Sequence, residues 1–339
     1  MTEESAPVRV ALVGAGHLGK HHARLLKALP EAELVGVCDV DEAKARELAD
    51  QWEVPWSTRS EELPAEWRTE AVSLVVPTVY HEKLGSTYLE QGLDLLIEKP
   101  LTPTVEEGEK LCSLAADRGR ILQVGHVERF NPVLKAVREL GIQPRYIEGD
   151  RLAPFSFRST DIGVVLDLMI HDIDILLSLL GQKVADVEAF GMGLFTPAED
   201  IATARLRFED GAIARLTANR VALKPSRRMR MFSKDSYVSL DFGNSYGLII
   251  QKAPGWDVQN LPVDVLRPEN IQDLWKFVFE GLLTVKELSM DEGNPLEEEL
   301  AEFVACVRSR AEPTVGGPAG LEAVRVANQV IESLSQHEW

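Results

Sequence analysis

The sequence predicts an α/β plus α+β protein: an N-terminal doubly wound parallel sheet of Rossmann type, then a largely antiparallel open sheet with helices on one face. Three observations lead there. Up to about Gly125, short β-rich runs alternate with helix-length runs, the pattern of a parallel sheet covered on both faces. A glycine fingerprint, Gly14-Ala-Gly-His-Leu-Gly19, stands where the first strand gives way to the first helix. Beyond Gly125, strand-like runs recur at hairpin spacing around one long helix pattern.

Val8 to Val13 is the first strand, and the helix after it runs from His17 to Leu29 and stops at Pro30. Glu33 to Cys38 is the second strand, closed by Asp39, and Asp41 is placed to cap a helix reaching about Trp52. Strands at Ala71 to Val76, Leu93 to Ile97 and Arg120 to Val124 alternate with helices at His81 to Gln91 and Val105 to Arg118. In the second half, a helix pattern from Asp161 to Leu180 ends on Gly181, a C-terminal cap. Strands follow at Val184 to Met192, Ile201 to Phe208, Ala212 to Val221, Arg228 to Ser233 and Tyr237 to Asp241, with Asp210-Gly211 as a hairpin signal. Pro254 to Asn294 reads as irregular, with one apolar helix around Leu274 to Leu283. Helices at Pro295 to Arg308 and Ala319 to Leu334 follow. A chain of 339 residues suits two domains, expected at 1–124 and 125–339, with the C-terminal helices able to pack back on the first.

An apolar content of 45% with 27% charged residues describes a soluble globular protein. Apolar runs such as Val72 to Val76 and Leu176 to Leu180 fall far short of the ~20 residues that span a bilayer. The acidic start, Met1-Thr-Glu-Glu-Ser5, does not resemble a signal peptide, so a cytoplasmic location is expected. A net charge of −18 argues against nucleic acid as a partner, because phosphate neutralisation needs Lys and Arg. Cys38, Cys112 and Cys306 show no metal-ligand spacing and read as packing residues in a reducing compartment; no metal is expected.

In the fingerprint, Gly14 allows the tight turn, Gly16 lets the backbone approach a pyrophosphate, and Gly19 allows close helix packing. The helix start, with His17 and Leu18, then offers free N–H groups to the anion. Asp39 ends the second strand, where a carboxylate accepts from a ribose 2′-hydroxyl and repels a 2′-phosphate; this favours NAD over NADP. Glu98-Lys99-Pro100 stands at the carboxyl end of a strand, where open α/β sheets bind ligands, and a cis Pro100 is expected there. Pro77, Thr78 and His81 follow another strand end and either line the nicotinamide pocket or simply begin a helix. Asp167 and His171 stand four apart on the long helix, with Asp174 three further on, giving a histidine flanked by carboxylates on one face. That arrangement suits acid–base work as well as a structural role. Arg129 and Asn131 are candidates for holding a polar substrate, with a linker arginine as the alternative. Arg227, Arg228 and Arg230 read as a solvated edge strand in preference to a phosphate clamp.

In this order, the fingerprint, Pro77 to His81, Glu98-Lys99-Pro100, the Asp167…His171…Asp174 helix and Asn294-Pro-Leu-Glu-Glu-Glu-Leu-Ala-Glu-Phe303 resemble the glucose-fructose oxidoreductase / inositol dehydrogenase / MocA (Gfo/Idh/MocA) family over nearly the whole chain. The resemblance implies an NAD-dependent dehydrogenase of a sugar-like secondary alcohol. It gives Lys99, His171 and Asp167 as catalytic and substrate-contacting residues, with the first domain holding NAD and the second serving for substrate binding and homo-oligomerisation. Gly125 to Pro132 and Asp167 to Asp174, with Met169 where many members carry glycine, look most like members that oxidise the 3-hydroxyl of UDP-N-acetylglucosamine or a related nucleotide sugar to the 3-keto sugar. A substrate pyrophosphate then needs cations, for which Arg129, Arg151, Arg158 and Arg227 to Arg230 are available. An inositol or free-sugar dehydrogenase and a non-catalytic NAD-binding sensor are the alternatives. A homodimer or homotetramer through the open sheet face is expected.

Overall fold

A computed structural model describes residues 6–156, 162–253, 283–289 and 293–335. The first half contains β1 (Val8–Val13), α1 (His17–Ala28), β2 (Ala32–Cys38), α2 (Glu42–Trp52), β3 (Trp56–Ser57), β4 (Ala71–Leu74), α3 (His81–Glu90), β5 (Asp94–Glu98), α4 (Val105–Arg118) and β6 (Leu122–Gly125). The six strands are parallel, in the order β3-β2-β1-β4-β5-β6. Every residue of β4 and β5 is buried, as a sheet covered on both faces requires. The Asp41 side chain accepts from the Ala43 and Lys44 N–H groups and so starts α2, while Thr104 caps α4 and Gly119 ends it at φ 60°. Strand order reverses at β1/β4, which opens a crevice at the carboxyl ends of those strands.

The second half contains α5 (Pro132–Glu139), β7 (Tyr146–Leu152), a π-turn at Val165–Met169 running into α6 (Ile170–Leu180), then β8 (Val184–Met192), β9 (Ile201–Phe208), β10 (Ile213–Asn219), β11 (Ser226–Phe232), β12 (Ser236–Asp241), β13 (Tyr246–Lys252), β14 (Leu283–Ser289), α7 (Pro295–Ser309) and α8 (Gly317–Leu334). The eight strands run β14-β13-β12-β11-β7-β10-β9-β8, antiparallel except where β7 lies parallel to β10. Gly181 at φ 60° ends α6, and Gly211 at φ 85° turns the β9–β10 hairpin, both as expected. Residues alternate along the strands: Ala202, Ala204, Leu206 and Phe208 of β9 and Ala214, Leu216 and Ala218 of β10 are buried in the core that also takes in α6, α8 and the π-turn. The opposite face exposes side chains such as Arg205, Arg215, Tyr146 and Phe190.

Several expectations are corrected. Leu283–Ser289, expected within irregular chain, is a strand in register with β13; Leu274 to Leu282 of the expected apolar helix lie outside the described residues, as do Arg158 and Asp161. The Arg227–Arg230 run is not an edge strand, because β11 lies between β12 and β7. Strand β7 has no counterpart in the sequence reading, since its inward positions are Ile147, Gly149 and Arg151, of which only the first is a large apolar residue.

The chain after Asn294 returns to the first sheet. Leu300, Phe303 and Val304 of α7 join the core formed by β1 and α1. Helix α8 packs on α4 and β6 and also on α6 and β8, so it touches both halves. The Val124 N–H donates to Val315 O at 2.9 Å and Gln123 bridges to Gly316, which covers the outer edge of β6.

Candidate active site

The crevice at β1/β4 begins with the glycine loop. Gly14 has φ 105°, and a Cβ there would meet Val75 O at 1.9 Å. A Cβ on Gly19 would meet Gly14 O at the same distance, so this glycine makes room for the loop's own backbone and not for β1 side chains. At Gly16 a Cβ would meet nothing within 4 Å. This open position is the N-cap of α1, which has no side-chain cap and no acidic residue in its first turn. Free N–H groups and the helix dipole are therefore presented to solvent, together with the exposed His17 and Leu18. Asp39 folds under the loop, accepting from Ala15 N–H at 2.7 Å and Asp41 N–H at 2.9 Å. The resulting cleft, of about 490 Å³, runs from Gly14 and Gly16 past Asp39 to Pro77 and Tyr80. Backbone donors of the loop with an oriented carboxylate beside them suit a dinucleotide.

Lys99 emerges from β5 at the edge of this crevice, and the Lys99–Pro100 bond is cis. Buried His81 lies behind it, its ring nitrogens 2.9 Å from Pro100 O and 3.0 Å from Val76 O, which ties the lysine turn to the end of β4. Burial holds this imidazole below its ordinary pKa. Lys99 Nζ donates to Asp167 O at 2.6 Å and Asp167 Oδ1 at 3.0 Å, which joins the first sheet to the π-turn of the second half.

The carboxylate-flanked histidine does not form. Chain 165–169 is wound as a π-turn, wider than the α-helix that sets the i, i+4 stacking. Asp167 is engaged by Lys99, and Asp174 takes Arg129 through two 2.7 Å bonds. Asp172 accepts from Arg151 at 2.9 Å, and Arg151 also donates to Glu128 at 2.9 Å. His171 therefore lies among cations. Burial first, then the charges of Lys99, Arg151 and Arg227, hold its pKa well below the ordinary 6.5. Its Nδ1 is buried without a hydrogen-bond partner among the described residues, and the His126 ring meets it edge-on with centroids 6.4 Å apart.

Lys99, Asp167 and His171 thus come together at the carboxyl end of β5. Arg129 and Asn131 do not join them: Arg129 is buried on Asp174, and Asn131 caps α5 through Val133 N–H and donates to Glu128 at 3.2 Å. Glu98 faces inward, accepting at 3.0 Å from His22, whose other ring nitrogen is 2.9 Å from Ser73 Oγ. Arg228 and Arg230 point to the open face, paired with Asp241 and Glu148. His22, His126, Glu128 and Arg151 are supports that the sequence alone does not reveal in that role. The only signal for Arg151 was a charged residue at an inward strand position, legible only once β7 is known.

Residues 8–126 match the family model described as "Oxidoreductase family, NAD-binding Rossmann fold", and residues 144–236 match the GFO/IDH/MocA C-terminal domain. The chain belongs to the Gfo/Idh/MocA oxidoreductase family. Within that family it is 39% identical over 249 residues to a UDP-N-acetylglucosamine 3-dehydrogenase of Acidithiobacillus ferrooxidans, covering 73% of this chain and 78% of the relative. A solved structure of the UDP-N-acetylglucosamine 3-dehydrogenase of that organism superimposes with a TM-score of 0.84, at 32% identity and with 97% of each chain covered. A scyllo-inositol 2-dehydrogenase (NAD(+)) of Bacillus subtilis is 32% identical, covering 63% of this chain and 68% of the relative. Like other Gfo/Idh/MocA members, the chain is an oxidoreductase.

Proposed function

We propose that this enzyme oxidises the 3-hydroxyl of UDP-N-acetylglucosamine, or a related nucleotide sugar, to the 3-keto sugar with NAD. The observation that carries the reading is Lys99 held on Asp167 at 3.0 Å, with buried His171 four residues further along the same helical segment, at the carboxyl edge of the parallel sheet. The 39% identity to a UDP-N-acetylglucosamine 3-dehydrogenase supports the substrate.

Bound NAD supplies the hydride acceptor. Gly14, Gly16 and the first turn of α1 would hold its pyrophosphate, and Asp39 would accept from the adenosine ribose. NAD is proposed in preference to NADP, a choice supported by the acidic lining of the cleft. Asp39, Asp41 and Glu61 line it, and its lysines are neutralised, Lys44 by Asp41 at 3.2 Å and Lys83 by Glu61 at 2.5 Å. His171, kept neutral at pH 7 by burial and its cationic neighbours, accepts the substrate hydroxyl proton. An ammonium has three N–H donors; two of those on Lys99 go to Asp167, and the third is available to the substrate oxygen as negative charge develops there. Asp167 fixes the direction of that donor. The open face of the second sheet, with Tyr146, Phe190 and Val285 exposed, serves for homo-oligomerisation.

The test is incubation with NAD and UDP-N-acetylglucosamine while nicotinamide absorbance is followed, with a 2-oxoglutarate arm to reveal reduced cofactor recycled in place. Formation of the 3-keto sugar is expected. Turnover of myo-inositol or a free hexose alone overturns the substrate assignment, and silence with every sugar points to a sensor.

A further inference from the structure

The arginines offered by the sequence for a substrate phosphate are reduced by the fold to a short choice. Arg129 is engaged by Asp174, Arg151 by Asp172 and Glu128, Arg228 by Asp241 and Arg230 by Glu148. Arg158 lies outside the described residues. Arg227 is exposed, and its guanidinium has no hydrogen bond or ion pair among the described residues.

Its position is defined by strand alternation. Met229 and Met231 of β11 are buried on the helix-covered face, and Arg227 shares that face, while Arg228 and Arg230 face the other way. Across the β7–β11 ladder Arg227 is in register with Arg151, whose guanidinium holds Asp172, the neighbour of His171. The charge of Arg227 is among those felt by the His171 ring. Arg227 is thus an uncommitted guanidinium near the catalytic histidine.

We infer that Arg227 grips the anionic diphosphate of the substrate and sets the selectivity of the site for a nucleotide sugar over a free sugar. The inference rests on the nucleotide-sugar reading above and deepens it. A guanidinium matches a phosphate in bidentate fashion, and an unpaired one gives up no internal partner on binding. A net charge of −18 does not prevent this, since screening over ~8 Å leaves a single local cation effective at contact distance. A free sugar has no charge for Arg227 to meet and therefore gains nothing from it.

The experiment compares wild type, Arg227→Ala and Arg227→Lys with NAD present. Steady-state kinetics use UDP-N-acetylglucosamine and N-acetylglucosamine, and calorimetry measures UDP binding without turnover. For Arg227→Ala, KM for the nucleotide sugar is expected to rise about tenfold or more with a much smaller change in kcat, and UDP affinity to fall in parallel. Arg227→Lys should recover part of both, because the charge returns without the fork. Weakened UDP binding by Arg227→Ala supports the inference. Wild type and Arg227→Ala binding UDP equally overturns it while leaving the proposed function intact. Equal losses on N-acetylglucosamine also overturn it, by showing a role unrelated to the diphosphate. A wild type that neither binds UDP nor turns over its sugar removes the nucleotide-sugar reading itself.

Discussion

Lys99 is the residue on which both halves of the molecule converge, since its ammonium leaves β5 and ends on Asp167 of the π-turn. Lys99→Ala should lower turnover by roughly 10²–10⁴-fold, the usual value of a positioned proton-transfer or charge-stabilising group. NAD affinity by calorimetry should stay close to wild type, and wild-type turnover in this variant would remove the lysine from the mechanism. His171 gives a pH signature. Its folded pKa is depressed, so it stays neutral down to below 6.5 and is lost as a base only when acid protonates it. The acid limb of kcat/KM should accordingly have its midpoint under pH 6.5, and a midpoint above 7 contradicts the assignment. The same sign applies to stability. His81 and His126 are also depressed by burial, so the unfolded chain takes up protons at pH values where the folded chain does not. Their contribution is complete above pH 6.5 and declines as pH falls through it, which thermal melts between pH 8 and pH 5 will register. Lys99, Asp167 and His171 were legible because each stands in a compact motif. The cations that tune His171 were not, because Arg151 and Arg227 reach it from strands far away in sequence.

At the scale of elements, the glycine loop separates two requirements that the fingerprint alone merges. Gly14→Ala places a Cβ 1.9 Å from Val75 O at φ 105°, so both stability and NAD binding should suffer. Gly16→Ala meets no neighbour and only weakens the N-cap of α1, so its thermal midpoint should stay within the shift expected for about 1 kcal/mol. Its NAD affinity should nevertheless fall roughly tenfold if a pyrophosphate approaches that backbone. A larger loss of stability in Gly16→Ala, or unaltered NAD affinity, would count against the approach. The first sheet was readable almost strand by strand because burial on both faces gives unbroken apolar runs such as Leu95 to Ile97. Most of the second sheet was readable from alternation. Strand β7 escaped because Arg151 and Gly149 occupy its inward positions, where Glu128 and Asp172 satisfy the arginine. The π-turn escaped as well, since a widened turn leaves the 165–169 segment looking like ordinary helix.

At the scale of the whole molecule, the first sheet does not stand alone. Leu300, Phe303 and Val304 complete the core beside β1, and α8 lies against α4 and β6. A fragment ending at residue 124 should therefore lack a cooperative thermal transition, whereas the complete chain shows one; a sharp melt of the fragment would show the first half to be self-sufficient. The open face of the second sheet belongs to this scale too. It carries Phe190 and Val285 at 44% exposure each, with Tyr146, Phe232 and Tyr237 in ring contact beside them. Light scattering should give a dimer or tetramer, and Phe190→Glu should shift it toward monomer. The bond from Val124 to Val315 has a consequence for biosynthesis. While the chain is being made, β6 has an uncovered edge until the ribosome has released residue 315 and the segment around it has folded back. During that interval the nascent first sheet presents unpaired backbone to other chains, and a chaperone that shields sheet edges would find its longest opportunity there.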